Sequence, residues 1–101
     1  MKMLMIVTLP HEPFNTAVRD GTVAKKMKKI LDACKPEVAY FTEQDGSRGG
    51  FFVVEVADPS KVPGLSEPWF LTFNADVKFR IAMNPADLNQ SGLDEIGKKW
   101  R

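Results

Sequence analysis

The sequence is poor in the residues that mark the commonest kinds of functional site. Its 101 residues include one cysteine, Cys34, and one histidine, His11. A single thiol excludes an intramolecular disulfide and fits a reducing compartment. A lone histidine without patterned cysteine or carboxylate partners makes a poor zinc site. Phosphate-loop, dinucleotide-binding and Ser-His-Asp signatures are also absent from the sequence. We therefore expect no metal centre and no bound cofactor.

The chain also lacks an excess of charge of one sign and a long apolar run. It has 14 basic and 13 acidic residues and a formal charge of +1, so no overall electrostatic attraction to nucleic acid or to a membrane is expected. The apolar run Met3–Leu9 after Lys2 imitates the start of a secretory signal, but Pro10 interrupts it and no small-residue cleavage site follows. No later run approaches membrane-spanning length. We expect a soluble, cytoplasmic protein.

What is present predicts one domain over residues 1–101, organised around a hairpin at Ala39–Val56. The hairpin is expected to have a first strand at Ala39–Glu43, a glycine-rich turn at Gln44–Gly50 and a second strand at Phe51–Val56. Aromatic and β-branched residues occupy both parities of the second strand. Both faces of that strand are therefore expected to be buried.

The other predicted elements lie on either side of this hairpin. They are a strand at Met3–Leu9, apolar on both parities; a helix capped by Asn15 or Thr16 and running to Cys34; a short helical turn at Asp58–Ser60 that Pro63 and Gly64 break; a helix at Ser66–Phe73; an alternating strand at Val77–Met83; and a C-terminal helix that begins at Ser91 and carries Leu93, Ile96 and Trp100. The last helix is expected to pack on the domain or on a partner.

This order predicts an α+β fold of the ferredoxin-like βαββαβ kind, with a four-stranded antiparallel sheet and an extra C-terminal helix. Right-handed crossovers place both crossover helices on one face of the sheet. The other face then remains open although the first and third strands are apolar on both parities, and water does not tolerate an open apolar face of this size. We therefore expect a homodimer that forms through the open face.

The element order, the two-sided strands and the C-terminal extension resemble the dimeric α/β-barrel superfamily. More narrowly, the stretches Asp45–Phe51 and Glu67–Phe70 are similar to those of small bacterial proteins of unassigned function in that superfamily. The resemblance implies two ferredoxin-like subunits packed sheet against sheet. The superfamily includes cofactor-independent monooxygenases, muconolactone-isomerase-like enzymes and haem-binding or haem-degrading proteins, but none of their catalytic signatures matches positions here, and a fold does not license a function.

Charged residues on otherwise apolar strands give the first candidate site. Glu55 and Arg80 are expected on the open side of the sheet, where buried charges must be paired or must serve a ligand. One interpretation is a pocket between sheet and helices lined by Tyr40, Glu55, Trp69 and Arg80, in which Arg80 holds an anionic group. The alternative is that Glu55 and Arg80 form a cross-strand ion pair or lie at a solvated rim, and that Trp69 is a core residue.

His11 and Arg48 are two further candidates, each with a plain alternative. Arg48 is expected near the tip of the hairpin, where its planar guanidinium could hold an anion or could be a solubilising loop charge. His11 follows the first strand, where a loop could overhang the pocket. It could act as a general base or a haem ligand, or be an ordinary surface histidine. No catalytic residue is assigned.

Three functional hypotheses follow from these residues. The first is a dimeric enzyme or binder of a small anionic or aromatic molecule, and the second is a non-catalytic dimerisation or regulatory module without a ligand pocket. The third is RNA binding through the sheet, because Arg48–Val53 partly imitates an RNA-binding strand motif; Gly50 and Glu55, however, stand where aromatic residues are needed. The four lysines within Lys25–Lys29 have no interleaved aromatic and are interpreted as a solvated helix face. We expect no nucleic-acid partner, and the sequence does not decide whether the protein is an enzyme.

Overall fold

The computed structural model describes residues 1–101 and contains one four-stranded antiparallel sheet. The strands are β1 (Lys2–Leu9), β2 (Val38–Gln44), β3 (Ser47–Glu55) and β4 (Asp76–Ile81). They are hydrogen-bonded in the order β2-β3-β1-β4. The apolar strands β1 and β3 are the two central strands, as their composition predicts. The mixed α+β class and the antiparallel four-stranded sheet are therefore confirmed.

Five helices accompany the sheet, and three of them cover one face. These three are α1 (His11–Arg19), α2 (Val23–Cys34) and α3 (Val62–Phe73); a 3-10 turn (Pro59–Lys61) precedes α3, and α4 (Pro85–Gln90) and α5 (Leu93–Lys99) follow β4. The core between sheet and helices consists of thirteen buried residues: Met5, Val7, Leu9, Ala17, Ile30, Cys34, Phe52, Val54, Val56, Leu65, Trp69, Phe73 and Ala75.

The alternation of the strands decides which side chains reach this core. Met5 and Val7 on β1 and Phe52 on β3 point to the helices and are at most 1% exposed. Their neighbours Leu4 and Ile6 lie on the opposite face, where Leu4 pairs with Val53 and Ile6 with Phe51. No helix covers this second face, which we call the uncovered face. Strands β1 and β3 are therefore apolar on both sides, as expected, but one chain buries only one side.

The hairpin turn is tighter than the sequence suggested. Asp45 and Gly46 alone form it, both with positive φ (52° and 83°), and β3 begins directly afterwards at Ser47. An Asp-Gly pair suits such a two-residue turn because both central positions need positive φ. The expected loop Gln44–Gly50 is thus wrong: Arg48, Gly49 and Gly50 belong to the strand.

Three helix boundaries also differ from expectation. Helix α1 begins at His11 with Pro10 at its N-cap, so the expected cap at Asn15 or Thr16 is wrong. The first predicted helix is two helices, because the chain turns at Gly21 (φ 79°) between α1 and α2. Pro63 and Gly64 do not break the third helix, since proline in the first turn of a helix loses no hydrogen bond. Asp58 caps the preceding turn, as predicted, and accepts a hydrogen bond of 2.9 Å from the Ser60 backbone N–H.

Residues 83–101, which we call the C-terminal arm, hold two short helices rather than one. A capping box begins α4 at Asn84, whose side chain accepts from the Asp87 N–H while Asp87 accepts from the Asn84 N–H; the expected cap at Ser91 is wrong. Every residue of the arm is exposed, and α4 and α5 form no extended contact with the rest of the chain. The arm does not pack on its own domain.

The arm makes the molecule elongated. The principal extents are 60 × 29 × 19 Å and the radius of gyration is 17.1 Å, against about 13 Å for a compact domain of this length. None of the helices combines the length and the apolar composition needed to cross a membrane.

Candidate functional site

A cleft of about 610 Å³ opens between the hairpin end of the sheet and the helix layer. Its walls come from the end of β1, the start of α1, the middle of α2 and the two strands of the hairpin. Its volume is within the range of small-molecule sites, about 300–1,000 Å³. Two of the six candidate residues, His11 and Arg48, line this cleft.

The tight turn positions Arg48 at the cleft. Because Asp45 and Gly46 form the turn, Glu43 pairs with Arg48 across the hairpin. On the other side of β3, Arg48 pairs with Leu9, whose side chain lies in the core. Side chains of paired antiparallel positions share one face, so Arg48 lies on the helix side of the sheet rather than at a solvated tip.

The guanidinium of Arg48 is held by the first helix. Its central carbon lies 4.5 Å from the centre of the Phe14 ring, and its Nη1 donates a hydrogen bond of 2.7 Å to Oδ1 of Asn15. The side chain is half-buried, yet Arg48 takes part in none of the ion pairs of the structure. A guanidinium has five N–H donors. One of them binds Asn15, and the others bind no carboxylate of the protein.

The floor of the cleft is apolar and includes two aromatic rings. Leu9, Phe14, Met27 and Phe41 contribute to it. The Phe14 ring packs 5.0 Å from that of Phe73, and the Phe41 ring meets that of Phe52 edge-on at 5.6 Å. Phe41 is nevertheless 54% exposed. The cleft therefore offers an uncovered aromatic surface beside a cation.

Polar groups surround this floor at the mouth. His11 is exposed and its ring makes no hydrogen bond within the chain, so both ring nitrogens face the cleft or solvent. Glu43 accepts a hydrogen bond from the Gly46 backbone N–H, which ties its carboxylate to the turn and away from Arg48. The mouth thus combines one histidine with one arginine that forms no ion pair.

The carboxyl of Glu12, next to His11, is anchored to the start of α1. It accepts hydrogen bonds from the Thr16 backbone N–H at 2.8 Å and from the Thr16 hydroxyl at 2.9 Å. These bonds lower the pKa of Glu12, with smaller contributions from Arg19 and Arg48. Glu12 is thereby kept as a carboxylate that stabilises the helix end bearing Phe14 and Asn15.

The other strand candidates lie on the uncovered face, not in this cleft. Tyr40 is on the edge strand β2 and Arg80 on the opposite edge strand β4, separated by two central strands, or about 14 Å. Glu55 pairs with neither of them. Its carboxylate lies 2.7 Å from the Met1 ammonium and 3.8 Å from Nζ of Lys2, and the hydrogen bond to that ammonium is the main reason that its pKa is lowered.

Trp69 lies on the other side of the sheet from Tyr40, Glu55 and Arg80. It is fully buried and its ring packs 5.2 Å from that of Phe52. Its indole Nε1 is buried without a hydrogen-bond acceptor, and it lies near the Cys34 thiol, whose pKa burial raises. A single chain therefore does not assemble the expected pocket of Tyr40, Glu55, Trp69 and Arg80.

Sequence reasoning missed the groups that make Arg48 notable, namely Phe14, Asn15 and the exposed ring of Phe41. One signal was available for Arg48 itself. An Asp-Gly pair favours a two-residue hairpin turn, and counting outward from it places Glu43 opposite Arg48. The contact with Phe14 could not be found this way, because it depends on where α1 packs on the sheet.

Chemically, the cleft suits a small molecule with an aromatic or flat apolar part and an anionic group. The apolar floor would contact the first, and the unpaired guanidinium would donate two parallel hydrogen bonds to the second. No group of three or more metal-ligating side chains is assembled anywhere in the chain.

No protein-family model matches the sequence, and no curated protein is significantly similar to it.

Proposed function

We propose that the chain is a ferredoxin-like subunit of a dimeric α/β barrel and binds a small aromatic anion in the cleft at the hairpin end of its sheet. The observation that carries the ligand proposal is the state of Arg48. It is half-buried, stacked on Phe14 and hydrogen-bonded to Asn15, and it forms no ion pair, although it interacts at longer range with the Glu12 carboxylate. Charges withdrawn from water normally have a partner of opposite sign. A carboxylate or similar anion would supply it.

The apolar floor of the cleft indicates that the ligand also has a flat aromatic part. Leu9, Phe14, Met27 and Phe41 offer contact to a flat ring, and edge or offset contacts between aromatic rings are favourable beyond their buried area. His11 lines the same cleft and is exposed. A reaction would need further groups, so we assign the cleft binding and leave catalysis unassigned.

The proposed dimer rests on the uncovered face of the sheet. Leu4, Ile6, Phe51 and Val53 form its centre, and Tyr40 and Val38 extend it towards the β2 edge. Phe51 is 37% and Val38 42% exposed in the single chain. Face-to-face packing of two such sheets would cover these side chains, with Lys78 and Arg80 at the rim.

A titration with matched probes tests the ligand proposal. The probes are 1-naphthoate and its uncharged amide, followed by calorimetry or by backbone amide shifts. We expect the carboxylate to bind more tightly and Arg48→Gln to weaken its binding roughly tenfold to a hundredfold, because a hydrogen bond to a charged group contributes about 1.5–3 kcal/mol.

Arg80→Gln is the matched control, since Arg80 is an arginine on the uncovered face and outside the cleft. It should leave naphthoate binding unchanged. Equal binding of acid and amide, equal effects of the two substitutions, or no binding of either probe would contradict the ligand proposal. The chain would then be better described as a dimerisation module without a ligand pocket.

A further inference from the structure

The C-terminal arm is the part of the molecule with the least support from its own chain. Helix α4 has six residues and α5 has seven, and neither forms an extended contact with the body. Isolated helices shorter than about 12–15 residues are marginal in water, and most helical stability in proteins comes from packing an apolar face. The arm therefore needs a surface that the single chain does not provide.

The arm carries an apolar face suited to such packing. Leu93 and Ile96 lie at helical spacing on one side of α5. Trp100 follows at the C-terminal cap of α5, and Leu88 precedes them on α4. Their exposed fractions are 55%, 47%, 79% and 45%. Four large apolar side chains exposed within a segment of this length indicate an interface rather than a solvated tail.

The uncovered face of the sheet also needs a partner, and the apolar area that it can offer to one is limited. One position on a sheet face occupies about 4.8 by 6.8 Å, so about fifteen positions on four strands give roughly 500 Å² in projection. Charged residues at its rim, such as Lys78 and Arg80, reduce the apolar part further. Stable protein interfaces bury about 800 Å² of accessible surface per partner, a measure that is larger than the projected area of the same contact, so the sheet face alone lies near the lower end of this class. A dimer built on the sheet face would gain from a second contact region.

The place where the arm leaves the body lets it supply that region. The Ala82 backbone N–H donates to the Lys2 carbonyl at 3.0 Å, so the arm starts at the β4 edge of the sheet, at the end opposite the cleft. A segment that starts at the edge of the uncovered face and does not fold back onto its own helices is free to lie against whatever covers that face.

From these observations we infer that the C-terminal arm packs on a second copy of this chain, and that the two copies exchange arms reciprocally. The inference rests on the dimer proposed above and adds the arm to its interface. A second copy would cover both apolar surfaces, the uncovered face and the C-terminal arm. In a two-fold dimer each copy covers the sheet face and the arm of the other. The formal charge of +1 opposes no such association.

The two tryptophans give a direct test, since Trp69 is fully buried and Trp100 is 79% exposed in the single chain. Acrylamide quenching of the full-length protein, with Trp100→Phe measured in parallel to isolate the Trp69 signal, reports the environment of Trp100. We expect a dimer by sedimentation in which Trp100 is shielded. Dilution through the dissociation constant should expose Trp100 without changing Trp69.

Substitutions in the arm provide the second readout. Ile96→Ser should raise the dimer dissociation constant roughly a hundredfold, because the lost apolar contact counts twice in a symmetric dimer. Leu71→Ser is the matched control: Leu71 is an 82% exposed leucine on α3 of the body, and its substitution should leave the constant within about twofold.

The outcomes separate this inference from the sheet-face dimer. A dimer in which Trp100 is freely quenched, or which Ile96→Ser does not weaken, overturns the arm exchange and leaves the sheet-face dimer standing. A monomer with Trp100 shielded shows that the arm folds back on its own body and overturns both. A monomer with Trp100 exposed also overturns both.

Discussion

Phe51 and Phe52 are adjacent residues of one strand with the same side chain, and they have opposite surroundings. Phe52 is 1% exposed and packs against the rings of Phe41 and Trp69. Phe51 points to the uncovered face, opposite Ile6 and Tyr40, and is 37% exposed. The comparison teaches that apolar composition makes both faces of β3 able to form a core, but only the face that the helices reach becomes one within a single chain.

The largest expected effect comes from truncating these two rings separately. Phe52→Ala should lower the free energy of unfolding by about 3–5 kcal/mol, the usual cost of removing a buried phenylalanine. Phe51→Ala should cost much less within one subunit, because its ring is partly solvated. Denaturant unfolding at a protein concentration low enough to keep the chain monomeric measures both.

Repeating both measurements at higher protein concentration tests whether a second copy covers Phe51. If a second copy covers the uncovered face, the cost of Phe51→Ala increases with concentration while that of Phe52→Ala stays the same, because coupled association adds to stability by mass action. A cost of Phe51→Ala that equals that of Phe52→Ala in the monomer would contradict the distinction between the two faces.

Substitution of Gly49, a position on the uncovered face of β3, is expected to have an intermediate effect on the free energy of unfolding. A Cβ at this position would lie 2.6 Å from the Val7 carbonyl oxygen and would collide with the Gln44 amide, which itself donates a hydrogen bond of 3.0 Å to that oxygen. Gly49→Ala should therefore lower the free energy of unfolding by about 1–3 kcal/mol, because the backbone atom cannot move aside. Thermal or denaturant unfolding measures the change.

Gly64 is the control for Gly49, since a Cβ there meets no atom within 4 Å. Gly64 lies in the first turn of α3, where alanine has the higher helix propensity. Gly64→Ala should raise the free energy of unfolding by up to about 1 kcal/mol. A neutral Gly49→Ala would show that the close approach of Gln44 to β1 does not constrain position 49. A destabilising Gly64→Ala would contradict the open surroundings of Gly64 and remove it as a control.

The smallest expected effect concerns pH and the start of the helix layer. The hydrogen bonds from Thr16 lower the pKa of Glu12 in the folded chain. The carboxylate therefore contributes stability at a pH above the ordinary value for an unfolded glutamate, about 4.3, and this contribution is lost as the pH falls through the lowered pKa.

Glu12→Gln removes that dependence. The difference in melting temperature between the native chain and Glu12→Gln should be present at pH 7 and should shrink as the pH is lowered below about 4. The α1 surface is exposed here, so the difference is expected to be small. A difference that grows on acidification would contradict the direction of the pKa shift.

The sequence predicted the strands better than the site. The alternation at Val77–Met83 and the apolar runs in β1 and β3 identify the sheet, because side-chain parity in a strand depends only on local sequence. Strand β4 ends at Ile81, two residues earlier than the alternation predicts. The cap that Asp58 provides for the 3-10 turn is likewise predicted, because a capping side chain and the backbone N–H that it accepts from are close in sequence. Of the residues that line the cleft, the sequence indicates His11 and Arg48, but it predicts a loop position for Arg48, which lies in β3.

Errors arose where a local signal had two readings. Pro63 and Gly64 can break a helix, but proline also begins helices, and here it does. One continuous apolar stripe predicts one helix, but Gly21 divides it into α1 and α2. Glycines at Gly49 and Gly50 were assigned to the turn, whereas they are strand positions that allow close approach of other atoms.

The sequence by itself determined the α+β class, the four strands and the two apolar faces of the central strands, because these follow from periodicity along the chain. Only the tertiary structure decided that Arg48 stacks on Phe14, that Trp69 and Tyr40 lie on opposite sides of the sheet, and that the C-terminal arm leaves the body. Each of these depends on how separate elements pack. Packing brings together residues that are far apart in the sequence, and no local sequence pattern indicates such contacts.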